Sequence, residues 1–142
     1  MFKFVLLLSF FVLSRARMPF APNTFARVLG VRGGEVHNLP TLSDVDVAIA
    51  QASKDGKSVV IDFSATWCGP CKMIGPVYSM LSDEFESVVF IKVDVDENAE
   101  TAAKYDVSAM PTFVFIKNGE IVDRLSGANA DRLREMIQNL AE

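Results

Sequence analysis

The strongest constraint on this chain is the stretch Trp67-Cys68-Gly69-Pro70-Cys71-Lys72, reached through the apolar run Val59-Val60-Ile61-Asp62-Phe63. Two cysteines separated by two residues, placed where a buried strand hands over to a helix, read as a redox-active dithiol. Only a thiolate attacks a disulfide, and a free cysteine with a pKa of about 8.5 is mostly protonated at neutral pH. At a helix N-terminus, unpaired backbone N–H groups and the positive end of the helix dipole favour the anion. Cys68, nearest the helix start, is therefore the expected attacking thiol. Cys71, one turn further in, is the expected resolving thiol and the more buried of the two. The chain has no other cysteine, and a pair this close cannot staple a small secreted fold.

The 142 residues leave room for one domain with a real core, and a composition half hydrophobic and 23% charged is globular rather than disordered. The net charge of −4 conceals an asymmetry. Residues 1–34 carry Lys3, Arg15, Arg17, Arg27 and Arg32 without an acid, which leaves 9 basic against 18 acidic residues downstream. An acidic domain lacks the basic footprint that phosphate backbones require, so nucleic acid is not an expected partner.

Residues 1–34 read as a targeting segment, with the domain proper at 35–142. Phe4 to Leu13 is a nearly continuous apolar run behind Lys3, the shape of a secretory core and too short to span a bilayer. The acid-free, arginine-bearing stretch that follows has transit-peptide composition instead. A mitochondrial presequence is favoured over a secretory or bipartite signal, with an uncleaved segment or a wrongly chosen start as the remaining reading. No membrane span is expected in the mature protein.

Within the domain, Glu35 to Leu39 is a short strand, and His37, the only histidine, reads as a strand or surface residue rather than a ligand. Ser43 is the expected cap of a first helix, with Asp46 at its third position, a Leu42–Val47 staple, and Val45, Ala48, Ile49 and Ala52 on the inner face. Ser58 to Phe63 is apolar on both faces, as a central strand should be, with Val59, Ile61 and Phe63 on one side and Val60 with Asp62 on the other. The second helix runs from Cys68 to Phe85, with Ile74, Val77, Leu81 and Phe85 inward, Pro70 harmless in its first turn and Pro76 a kink. Val88 to Val95 is a second buried strand, in which Lys92 either snorkels or pairs with a carboxylate. Asp96 and Asn98 read as turn and cap residues before a short helix with Ala99, Ala102 and Ala103 inward. No metal site is expected. Thr112 to Lys117 and Glu120 to Leu125 form a hairpin through the type I′ turn Asn118-Gly119. A last helix from Asn129 or Asp131 turns Leu133, Met136, Ile137 and Leu140 inward. Strands alternating with helices, then a hairpin and a closing helix, give an α/β fold with a mixed central sheet sandwiched between helices.

WCGPCK behind Val-Ile-Asp-Phe, with Ala109-Met110-Pro111-Thr112 and then Ser126-Gly127-Ala128 further along, resembles thioredoxin, and the resemblance covers Glu35 to Glu142. It implies the thioredoxin fold and a protein-disulfide reductase. It implies that Asp62 accepts the proton of Cys71 with a pKa raised by desolvation, and that Lys92 pairs with Asp62. It also implies a cis Met110–Pro111 bond. Trp67, Gly69, Pro70, Met110, Pro111, Gly127 and Ala128 would then form the substrate surface, with the Met110 backbone open to an extended segment. Lys72 reads as a solvated charge. The Gly-Pro pair between the cysteines goes with a reducing couple, whereas oxidising isomerases carry Gly-His. No cofactor is expected in the chain itself. Reducing equivalents would come from NADPH through a flavin-containing thioredoxin reductase, for delivery to disulfide-bearing proteins such as peroxiredoxins, by a monomer. The alternatives are a disulfide oxidase or isomerase of a secretory compartment and a non-catalytic adaptor on the same fold.

Overall fold

In the computed structural model, which describes residues 30–142, Ser58 to Ser64 is buried at every position. A strand with no exposed face must be covered from both sides, and it forms the middle of a five-stranded sheet. The strands are β1 (Val36–Asn38), β2 (Ser58–Ser64), β3 (Val88–Asp94), β4 (Thr112–Lys117) and β5 (Glu120–Ser126). Their order is β1-β3-β2-β4-β5, parallel from β1 to β2 and antiparallel from β2 to β5. The helices are α1 (Leu42–Lys54), α2 (Gly69–Glu84), α3 (Ala99–Lys104) and α4 (Ala130–Ala141). The mixed sheet between helices agrees with the expected fold class. The targeting segment expected at residues 1–34 lies, as far as residue 29, outside the described residues.

The alternation read in β2 sorts the core. Val59, Ile61 and Phe63 join Val45, Ile49 and Tyr105 in the layer of α1 and α3, while Val60 joins Ile74, Leu81, Leu133 and Ile137 in the layer of α2 and α4. The hairpin turn has the positive φ values that a type I′ turn demands, 53° at Asn118 and 79° at Gly119. Helix α4 buries the four residues expected of it, with Asn129 as its cap.

Several local expectations are corrected. Helix α1 is capped by Thr41, not Ser43: the Thr41 hydroxyl accepts the Asp44 N–H at 3.1 Å and donates to the Asp44 carboxylate at 2.7 Å. Asp44, not Asp46, thus takes the third position, and Asp46 instead pairs with Lys104 of α3 at 2.7 Å. With Thr41 as the cap, the staple positions fall on Pro40 and Val45 instead of Leu42 and Val47, and Val47 is exposed. Helix α2 buries Tyr78 where Val77 and Phe85 were expected, and those two are only partly buried. Strand β3 ends at Asp94, and β1 omits Glu35 and Leu39. In α3, Thr101 and Ala102 face inward, while Ala99 and Ala103 are exposed. The packed chain also reaches back beyond Glu35. Val31 lies against the α1 layer, and Gly33 sits so close to Glu86 that a Cβ there would fall 1.7 Å from its carbonyl oxygen. His37, in β1, ties this segment down, with Nε2 3.1 Å from the Arg32 amide nitrogen and 2.8 Å from its carbonyl oxygen.

Candidate active site

The chain leaves β2 at Ser64, turns through Ala65, and enters α2 with Cys68 as its N-cap. The Cys71 N–H donates to Cys68 Sγ at 3.2 Å, so sulfur occupies the place an N-cap serine or aspartate oxygen usually fills. Pro70 lies in the first turn, where its missing N–H leaves no partner unsatisfied. Cys68 and Cys71 are joined as a disulfide. Once the bond is reduced, the same N–H and the helix dipole would stabilise a thiolate on Cys68. The expected contrast in burial is absent, with Cys68 5% and Cys71 7% exposed. The two differ in surroundings: Cys68 Sγ lies 3.7 Å from the Met110 carbonyl oxygen, while Cys71 lines a cavity of about 530 Å³ with Ser64, Lys72 and Lys92.

Asp62 is buried in mid-strand, and its Oδ1 has no hydrogen-bond partner among the described residues. Burial raises its pKa from 3.8 to about 7, with the Lys92 charge pulling the other way. Lys92 stands opposite Asp62 in the parallel β2–β3 register but closes no hydrogen bond to Oδ1. The expected pairing is thus not closed as an ion pair; the Lys92 charge acts on Asp62 only as a coulombic attraction, and Lys92 is among the residues that line the cavity beside Cys71. On the α2 side, the buried Tyr78 hydroxyl lies 3.0 Å from the Val60 carbonyl oxygen and 2.8 Å from that of Ile91. Burial and the Asp62 charge hold the Tyr78 pKa well above its ordinary value, so it stays a neutral strut.

The Met110–Pro111 peptide bond is cis, as the resemblance implied. Thr112 Oγ1 donates to the Ala109 carbonyl at 2.6 Å, and the Gly127 N–H donates to the Pro111 carbonyl at 2.9 Å. Gly127 has φ 95°, a conformation that favours glycine, and Ala128 beside it is exposed. Trp67 is 65% exposed and Gly69 and Pro70 are open to solvent, whereas Pro111 is buried and Met110 half-buried against the cysteines. The Trp67 indole N–H donates to the Asp96 carboxylate at 2.9 Å. Asp96 was expected only as a turn residue. The turn is held by Asp94, whose Oδ1 accepts the Asp96 and Glu97 N–H groups, and Asn98 is the cap. Nothing local in the sequence marks Asp96 as a tryptophan partner, since the two are 29 residues apart. Tyr78 carries a fainter signal, as it falls on the helical face that begins at Cys71 and continues through Ile74.

Two sulfurs fixed one helical turn apart can carry two electrons by opening and closing a single bond, which is the work of a thiol–disulfide oxidoreductase. The family model described as Thioredoxin matches residues 39–139. Thioredoxin H4-1 of Oryza sativa subsp. japonica is 45% identical over 111 residues, covering 78% of this chain and 85% of the relative. A Gallus gallus thioredoxin is 49% identical over 105 residues, covering 74% and 98%. Among solved structures, a poplar thioredoxin h superposes with a TM-score of 0.73 at 42% identity, covering 77% of this chain and 98% of that one. A reduced thioredoxin pre-protein of Schistosoma mansoni superposes with a TM-score of 0.71 at 45% identity, covering 75% and 98%. The chain belongs to the thioredoxin family, and its activity is that of a thioredoxin-type protein-disulfide reductase.

Proposed function

We propose that Cys68 is the nucleophile, Cys71 the resolving thiol and Asp62 the base of a two-step reduction. The Cys68 thiolate attacks one sulfur of a protein disulfide, forming a mixed disulfide and expelling the other substrate sulfur as a thiolate, which takes a proton from solvent. Cys71 then gives its proton to Asp62 and attacks Cys68 Sγ. The second substrate sulfur leaves, and the two electrons of the dithiol have passed to the substrate. The observation that carries this reading is the Cys71 N–H directed at Cys68 Sγ at 3.2 Å, which supports Cys68 as the sulfur the helix start stabilises. Trp67, Gly69, Pro70, Met110, Pro111, Gly127 and Ala128 form the surface on which the substrate lies, and the Met110 backbone pairs with the segment flanking its cysteine. Substrates of the peroxiredoxin type fit this chemistry, because they present a disulfide that must be reopened in each cycle. Recharging by a flavin-containing reductase that draws on NADPH completes the reading, and the chain itself needs no resident cofactor for it.

Insulin reduction by wild type and by Cys71→Ser tests the dithiol step. Turnover is expected to vanish in the variant while a stable mixed disulfide accumulates on Cys68, and equal turnover would overturn the mechanism. Titration against glutathione tests the direction of flow. A potential near about −180 mV, where disulfide isomerases sit, would favour an oxidase instead.

A further inference from the structure

The loop that presents Met110 to the dithiol starts where α3 ends, and its start is held from an unexpected place. Tyr105 is the C-cap of α3, and Asp106 after it has φ 51°, a left-handed conformation that a residue with a side chain seldom adopts. Carbonyl groups at a helix C-terminus have no partner within the helix and need a donor from elsewhere. Arg124, on the exposed strand β5, supplies it: Nη2 donates to the Tyr105 carbonyl at 2.6 Å, and Nη1 lies 3.5 Å from the Asp106 carbonyl. Arg124 stands opposite Val114 in the β4–β5 register, on the face covered by α3.

The far end of the loop is tied by the Thr112 and Gly127 bonds. Between the two ties, Val107 is held by a 3.0 Å bond from its N–H to the Ala102 carbonyl, and the Met110 carbonyl faces Cys68 Sγ at 3.7 Å. We propose that Arg124 is a positioning residue for substrate recognition: its guanidinium anchors the start of the loop and so presets the Met110 backbone that receives the substrate. This rests on the reading that the Met110 backbone pairs with the substrate. Arg124 touches neither sulfur nor substrate, so its effect belongs to binding and not to bond exchange.

The test compares a protein disulfide, insulin, with an aromatic disulfide, dithiobis(nitrobenzoate), which has no main chain to pair. Arg124→Met keeps the stem and removes the donors. Its KM for insulin is expected to rise about three- to tenfold, the size of one ordinary hydrogen bond because only part of the anchor's worth reaches the substrate, with kcat within about twofold. Rates with the aromatic disulfide and alkylation of Cys68 by iodoacetamide should not change. Arg124→Lys, which keeps a charged donor, should restore most of the KM, and amide exchange at residues 107–110 should quicken only in the methionine variant. An unchanged KM for insulin, an equal loss with both substrates, or a lysine variant as impaired as the methionine one would each overturn the assignment. Should Arg124→Met fail to fold, Arg124→Leu, which likewise has no donor, carries the same comparison. A wild type that shows no preference for insulin over the aromatic disulfide would instead overturn the Met110 pairing reading itself.

Discussion

Asp62 is the residue whose environment most contradicts its chemistry, and its pH dependence follows from that. Its folded pKa of about 7 lies above its ordinary 3.8, so between those values the folded chain keeps a proton that the unfolded chain releases. Stability is therefore undiminished at about pH 4, falls as pH rises toward 7, and is level above it. About three pKa units correspond to ~4 kcal/mol, an upper figure for a carboxyl whose surroundings relax on ionising. Asp62→Asn should accordingly be more stable than wild type at pH 8 by roughly 2–4 kcal/mol and nearly equal to it at pH 4.5, as urea unfolding at the two pH values would show. A difference independent of pH would contradict it. The same variant should release the mixed disulfide at pH 7 about a hundredfold more slowly, since general base assistance is lost. The conflict at Asp62 was legible because alternation in an apolar strand left nowhere else for the carboxylate to go. The behaviour of Lys92 was not. Register made the two residues neighbours, but strand pairing fixes only the backbone, and whether an ammonium on a four-carbon stem closes onto the carboxylate is settled in the assembled cavity.

Among the elements, helix starts show how near and how far local rules reach. Thr41 and Ser43 both satisfy the composition of a cap and each has an aspartate three residues on; Thr41 closes two bonds with Asp44, whereas Asp46 is drawn to Lys104 of α3. Thr41→Ala should cost about 1 kcal/mol of unfolding free energy while leaving Cys68 alkylation unaltered. Thermal melts alongside iodoacetamide rates would check both, and a neutral substitution would mean that Ser43 can take over as cap. Helix α2 taught a different lesson. Its apolar spacing favours Val77 and Phe85, yet the buried face runs from Cys71 through Ile74 and Tyr78 to Leu81, with Val77 and Phe85 at its margin. Tyr78 is buried with its hydroxyl against two strand carbonyls, a tertiary accommodation that a periodicity count does not weigh. Strands β2 to β5 raised no such ambiguity, since Asn118-Gly119 fixes the hairpin and a two-sided apolar run fixes the centre.

At the scale of the whole molecule, the motif and the order of elements led directly to the sheet and its layers, whereas the joins between distant segments were hidden. The Trp67–Asp96 bond, the Arg124 tie to α3 and the packing of Gly33 on Glu86 all depend on the assembled fold. The last of these is testable. A methyl group at Gly33 would collide with main chain, so Gly33→Ala should destabilise the protein by about 1–3 kcal/mol and free the segment around Val31, without changing the reduction of insulin by the molecules that remain folded. Denaturant midpoints and limited proteolysis would reveal it; an unchanged midpoint would mean that the segment contributes nothing to the fold. A last consequence concerns the sulfur bridge, which spans a sequence separation of only 3. On the chain-entropy argument so small a ring restrains the denatured polymer by about 2 kcal/mol, against nearly 5 for a ring of a hundred residues. The molecule can shuttle between charged and spent forms without its architecture depending on either, as a rechargeable courier must.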